Sequence, residues 1–555
     1  MPEPTRMSPQ RAVVLLIAGT ALLRLLFAAA VGLGMDESYM VVSGRVLSLG
    51  YFDHPPAAWW LSWGATWLAG GESALVVRLP FIALFALSTW LMFRLTTHIA
   101  NARAGFWAAV LLNLSPVFGV TTGTWVLPDG PLDCALLGAA LCLVHALPAR
   151  GQAAWGWWSG AGVCAGLALF SKYSAVLTIA GAVVYVLIAR DHRAWLRRPH
   201  PYLAALLAVL VFSPVIVWNA SHGWASFAFQ GDRAVGLRFQ PLAPLQVLLG
   251  EALFVLPWIW LPMMVLFVAA LMPRQISMAL TPRRISMALT PRQILVALTP
   301  RRISTALTPC RIMTAAMPPR RVAEAIPPGL AAPDWQARLL ACLAAPPIVG
   351  FALIAAWSSR RILFHWAAPG YLMLFPLLGQ ALSERTDSAW VRRSVAATAG
   401  LILIAVSVVG LQTRFDILGS ALTFVARQDP TLEGIDWTSL HTDLTARGLL
   451  PPGTVVGVPS WRDAGKIGFG LGPEVTVLCL HQDARQFGFA HPPVSFVGRD
   501  VLILVVGDPA PAETALSGVF ERIERLDPAP ISLRGRVLHQ VSVMRGHRLL
   551  RWPPP

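Results

Sequence analysis

Carboxylates are scarce in this chain, 28 among 555 residues, and those that border the apolar runs stand in short segments. Asp36 and Glu37 stand side by side in MDESYM, directly after the first long apolar run. A carboxylate at that boundary lies in a partly dry setting that raises its basicity, which suits a general base. Asp53 and His54 follow in GYFDHPP, where Pro55 and Pro56 stiffen the entry to a stretch carrying Trp59, Trp60, Trp63 and Trp67 at helical spacing. Asp129 sits in LPDGPLD, and Lys172 in FSKYSA. Arginine is the usual cation here, with lysine at 172 and 466 alone. An ammonium between two apolar runs is expensive, so Lys172 calls for an anionic partner. Each of these residues also has a plainer reading. Loop acids are often merely solvated, tryptophans at helical spacing are often interfacial anchors, and a lone histidine lacks a second metal ligand. Arg24, inside the first run, invites the same functional reading, with a structural pairing to a neighbouring helix the favoured one.

The elements that would position these groups follow from composition. The chain has 555 residues, 55% of them hydrophobic and only 13% charged, with a mean hydropathy of +0.60. A water-soluble surface cannot be built from that mixture, so the bilayer must be the solvent. Stretches near the length of about 20 residues that a crossing needs occur at 12–33, 74–97, 104–122, 131–147, 156–171, 174–189, 201–219, 245–271, 336–357, 363–382 and 394–413. About eleven transmembrane helices are expected, and the first is a retained helix rather than a signal peptide. Threading them from a cytoplasmic N-terminus puts nearly every arginine cluster inside and most loop acids outside, as the positive-inside rule requires. That placement explains the net charge of +16 without nucleic acid, which is not expected as a partner. Cys134, Cys142, Cys164 and Cys342 lie within apolar runs, and Cys310 and Cys479 are isolated, so neither a disulfide framework nor a metal site is expected.

Residues 1–413 therefore read as one transmembrane domain, with a first periplasmic loop at 34–73 and a cytoplasmic insert at 272–335. In that insert Pro273, Pro282, Pro291, Pro300, Pro309, Pro318 and Pro327 recur every ninth residue. Such a spacing forbids one long helix and reads as a duplicated linker, with arginines able to meet anionic lipid. Residues 414–555 read as a small periplasmic α/β domain, with β-branched runs at 454–458, 475–478 and 501–506 and a helix near 512–525.

The ordered series DESY, GYFDHPP, VRLP, LPDGPLD, LFSKYSA, FSPVIVWN and HWAAPGYL resembles bacterial glycosyltransferase family 39, which includes protein O-mannosyltransferases and the lipid A aminoarabinose transferase. The likeness runs from residue 12 to about 413. It implies an all-α polytopic GT-C fold in a bacterial inner membrane. It also implies transfer of a sugar, with inversion, from a polyprenyl-phosphate donor to a lipid or protein acceptor on the periplasmic side. By the same resemblance Asp36 is the general base supported by Glu37, and Asp129 orients the acceptor or sugar. Tyr39, Asp53, His54, Lys172, Arg360, Arg361 and His365 are then candidates for holding the donor and its lipid phosphate. No cofactor is expected to be essential, and a divalent cation is not demanded. One departure stands out: the aminoarabinose branch has an acidic residue and a lysine before the prolines, where this chain has Asp53 and His54. A hexose or pentose donor is the better expectation. A multi-span transporter or flippase is the alternative, and a membrane scaffold with a binding tail ranks third.

Overall fold

The computed structural model describes residues 7–234, 239–272, 334–358, 362–385, 388–419, 433–533 and 535–552. Each apolar run is helical. The first half holds α1 (Pro9–Ala30), α2 (Met35–Ser43), α3 (Ala57–Ala69), α4 (Ala74–Ile99), α5 (Ala102–Leu114), α6 (Asp129–Ala146), α7 (Gly151–Ser171), α8 (Ala175–Ile188) and α9 (His200–Ser221). Then come α10 (Ala225–Ala234), α11 (Ala243–Val255) and α12 (Pro257–Leu271), and later helices at Asp334–Ala355 and Ala389–Phe415. The starts are legible in sequence, because short polar side chains satisfy the first free amides. The Ser73 hydroxyl accepts from the Val76 amide at 3.2 Å and opens α4, and Asn101 accepts from Ala104 at 3.0 Å and opens α5.

Among the described residues, six helices are long and apolar enough to cross a membrane, namely α1, α4, α6, α9, Trp335–Ala355 and Ala389–Phe415. A bent pair, α11 and α12, makes a seventh when taken as one span, with an angle of 116° between its halves. Leu256 sits at that bend with φ 81°, which breaks the helical hydrogen-bond ladder. The other four expected crossings take different forms. α5 ends after 13 residues and passes into a π-helical turn at Val117–Thr122, and α8 has 14 residues. At 1.5 Å per residue, helices of that length fall short of a hydrocarbon core of about 30 Å. α7 has 21 residues but is diluted by glycine and serine, and the stretch at 363–382 is cut into Phe364–Ala367, Ala368–Leu372 and Phe375–Ser383. The nonapeptide repeat lies outside the described residues.

The C-terminal part is a five-stranded sheet in the order β2-β1-β3-β5-β4, made of β1 (Val455–Val458), β2 (Thr476–Cys479), β3 (Val501–Val506), β4 (Phe520–Leu533) and β5 (Arg536–Leu549). β1 is parallel to β2 and β3, while β5 runs antiparallel to β3 and β4. The first three strands match the β-branched runs. The expected helix at 512–525 is a correction: it covers only Ala510–Ala515, and the following segment is β4. Leu516 caps that helix, and Gly518, at φ 70°, turns the chain through the left-handed region into β4. The charges in ERIER then serve cross-strand and tertiary contacts, such as Arg525 to Glu513 and His547 to Glu524.

The apolar core does not divide where the sequence suggests. One cluster fills the helical bundle around Leu112, Leu137, Tyr371 and Phe375. A second unites the first loop with the tail: Leu33, Tyr39, Tyr51, Trp59 and Phe81 pack with Trp437, Val456, Ile467 and Leu504. The close approach is built at Gly465, on the helix Trp461–Leu471, where any Cβ would come within 2.5 Å of the Tyr39 amide nitrogen on α2.

Candidate active site

α2 is short and carries three of the sequence-selected residues, and the chain fixes it by burying a charge. Glu37 accepts from Arg78 Nε at 2.8 Å and from Arg78 Nη2 at 2.6 Å, as well as from the Gly34 amide at 2.9 Å and the Val126 amide at 3.0 Å. Arg78 spends its remaining donors on the carbonyls of Ala28, Val31 and Gly32 at the end of α1. The two side chains are 1% and 3% exposed. Burial pushes the Glu37 carboxyl up, but the Arg78 guanidinium and the two amides outweigh it and hold the group below the usual carboxylate range. Both Glu37 oxygens are thus committed. Glu37 thereby pins α1, α2, α4 and the approach to α6, with both its oxygens occupied. Asp36, one residue earlier in the first turn of α2, faces solvent.

Asp129 and Lys172 form the second buried pair. Lys172 caps the end of α7, and its Nζ donates to Asp129 Oδ1 at 2.8 Å and Oδ2 at 3.0 Å. The side chains are 10% and 9% exposed. Among the described residues that ammonium donates to Asp129 alone, although it has three N–H groups. His365 and His54 lie within electrostatic reach of the Asp129 carboxylate. Four sequence-selected residues from four separate segments therefore converge around the Asp129 carboxylate: Asp129 itself, Lys172 in contact, and His54 and His365 within electrostatic reach. Arg360 and Arg361 lie outside the described residues.

Tyr39 and Asp53 form a third group. The Tyr39 hydroxyl donates to Asp53 Oδ1 at 2.7 Å, and Arg485 Nη1 donates to Oδ2 at 3.1 Å. Burial pushes the Asp53 carboxyl up, against the pull of Arg485 and the Tyr39 hydroxyl. Gln486 joins from the same tail segment, its amide donating to the Tyr39 hydroxyl at 3.1 Å and its Oε1 accepting from the Phe52 amide at 2.9 Å. α10 closes over this loop, with the Tyr173 hydroxyl 2.7 Å from Ser226 Oγ and Phe229 packed on Phe52 at 4.6 Å. Of the four tryptophans of α3, Trp59 is fully buried and stacks on Tyr51 at 4.4 Å, while Trp67 is 69% exposed as an interfacial anchor would be.

Sequence reading missed Arg78, Arg485, Gln486 and Lys466. Arg78 was quoted only within VRLP. Lys466 is one of the two lysines, and its rarity was a usable signal. Its Nζ donates to the carbonyls of Leu33, Glu433 at 2.6 Å and Ile435 at 2.8 Å, tying the tail to the loop that leads into α2. Arg24 behaves as its structural reading anticipated: it donates to the Gly119 carbonyl at 2.9 Å and Asn113 Oδ1 at 3.1 Å and lies over the Phe85 ring. Among the described residues no group of three or more His, Cys, Asp or Glu is arranged to hold a metal ion.

Residues 53–218 match the family described as dolichyl-phosphate-mannose-protein mannosyltransferase. That stretch includes Asp53, His54, Arg78, Asp129 and Lys172. Two solved structures of ArnT from Cupriavidus metallidurans are similar over nearly the whole length, at 16% identity, covering 96% of this chain and 97% of theirs. The one bound to undecaprenyl phosphate gives a TM-score of 0.58 and the apo state 0.60. No curated protein matches the chain.

Proposed function

We propose that this chain, a membrane glycosyltransferase with the GT-C fold, moves a sugar from a polyprenyl phosphate to an acceptor hydroxyl on the periplasmic side of a bacterial inner membrane. The observation that carries the reading is the Asp129–Lys172 pair with His54 and His365 beside it. A buried ammonium that, among the described residues, keeps an N–H beyond its carboxylate partner, beside two imidazoles, suits a phosphate. The similar fold of ArnT bound to undecaprenyl phosphate supports the choice of donor. Asp36 is the base that takes the acceptor proton as its oxygen attacks the anomeric carbon, with inversion. The sugar–phosphate bond breaks, and the phosphate leaves carrying its electrons without needing a general acid. Positive charge in a dry pocket stabilises what develops on the leaving oxygens. Asp129 holds Lys172 in place and orients the sugar or acceptor. The acceptor is a glycolipid, lipid A among the possibilities, or a protein hydroxyl. A transporter would be expected to carry matching broken helices in two halves, and among the described residues only α11 and α12 form such a pair.

The test is transfer from radiolabelled polyprenyl-phosphate sugars to membranes by the purified protein, native or with Asp36→Asn. Transfer that depends on Asp36 supports the assignment. Equal transfer by both proteins removes Asp36 from its role, and no transfer from any such donor removes the reading.

A further inference from the structure

We infer that Arg485, from the C-terminal sheet unit, is a positioning residue of the transfer site that acts through Asp53 on the phosphate-binding end of the first loop. The inference rests on the polyprenyl-phosphate reading above.

Residues 485 and 486 clamp the dipeptide just before His54. Arg485 pairs with the Asp53 carboxylate, Gln486 Oε1 takes the Phe52 amide, and Gln486 N reaches the Tyr39 hydroxyl that itself holds Asp53. On the far side Gln230 of α10 donates to the Asp53 carbonyl. The backbone leading into His54 is therefore gripped by the tail, α2 and α10 together. Arg485 adopts φ 48° and ψ −133°, a conformation that residues with a Cβ rarely take and that persists only where the surroundings over-determine it. Those surroundings are present. Its guanidinium lies 3.8 Å from the centre of the Trp461 ring and 5.5 Å from that of Phe229, and Asp483 is 3.6 Å away. A docking arginine on a free surface needs no such frame.

The charge logic is simple. Asp53 is 3% exposed, and the charged or titratable groups facing it are Tyr39 from α2, Arg485 from the tail with Asp483 behind it, Tyr173 beside Lys172, and the adjoining His54. Without the guanidinium, a carboxyl so buried takes up a proton and becomes a donor. Its bond from Tyr39 then loses the charge that strengthens it, and the grip on the residue before His54 loosens.

The test is equilibrium binding of undecaprenyl phosphate to the full-length protein in detergent, with donor KM and kcat alongside. Arg485→Gln is expected to raise the Kd and the donor KM by about tenfold while leaving kcat within about twofold, and Arg485→Lys to restore most of the loss. Asp53→Asn should weaken binding by a similar factor, and the double variant no further, because both act through one contact. Arg45→Gln serves as the docking control. Arg45 joins Glu72 and the Gly468 carbonyl at the same interface, and its loss should leave undecaprenyl phosphate binding unchanged. Unchanged binding in Arg485→Gln overturns the inference, as do multiplying losses in the double variant or an equal loss in Arg45→Gln. Failure of the native protein to bind undecaprenyl phosphate at all overturns the donor reading itself and the inference with it, a result distinct from the others.

Discussion

Two buried ion pairs in this molecule, Glu37–Arg78 and Asp129–Lys172, are built on opposite principles. At Glu37–Arg78 both carboxylate oxygens and all three guanidinium nitrogens are consumed by each other and by backbone groups. At Asp129–Lys172 the ammonium, among the described residues, donates to the one carboxylate alone, with two imidazoles and the buried Asp133 within electrostatic reach. A pair that is saturated inside the protein holds elements together. A pair left hungry at the end of membrane helices is poised for something from outside. Polarity and burial are almost the same in both cases, so the difference in role comes from the count of partners.

The contrast can be broken in stages. Arg78→Leu leaves the Glu37 charge buried without its partner, which costs about 3–5 kcal/mol. The expected outcome is a protein that fails to purify as a monodisperse species or melts far lower in detergent, and an unchanged Tm would end the distinction. Asp36→Asn should lower kcat by about a hundredfold to ten-thousandfold with Tm unaltered, since that side chain faces solvent. Lys172→Met should raise the donor KM by about tenfold or more and lower Tm less than Arg78→Leu does. Adding Asp129→Asn to it should recover stability but not donor affinity, and recovery of both would make this pair structural as well. A smaller effect concerns Lys466, whose ammonium burial pushes down to about 7. An unfolded lysine keeps its proton to pH about 10, so between those values the unfolded chain binds a proton that the folded chain has lost. Stability should therefore rise with pH across that window, by a slope that Lys466→Met removes in a thermal melt series. The smallest effect expected is none: we propose that transfer proceeds fully in chelator, and activity lost there and restored by Mg²⁺ would contradict it.

Much of this was legible in the sequence, for identifiable reasons. Among the described residues, apolar runs located each of the six long membrane helices and the bent pair, because the bilayer demands one composition, but they did not show which runs would be too short or broken. β1, β2 and β3 were visible as β-branched runs. β4 was not, because ERIER has helical charge spacing and only Gly518 marks the stop. Asp129 and Lys172 were each singled out by cost, yet no spacing could say that they pair across 43 positions. Glu37 looked like a twin of Asp36, and adjacent residues on a helix point in different directions, one to Arg78 and one to solvent. Arg485 carried no local signal at all, since its meaning depends on where the tail docks.

The contact at Gly465 has a consequence for anyone who would exchange parts between relatives. A tail read from sequence as a separate module suggests that it can be cut off or swapped to alter specificity. Here the helix Trp461–Leu471 lies against the backbone of α2 with no room for a methyl group, and Trp437 and Ile467 complete the core beneath Tyr39. The portable unit is therefore discontinuous, comprising residues 31–73 together with everything after 433. A chimera that moves the tail without its matching first loop is expected to lose both partners' fit, and one that moves them together to keep it.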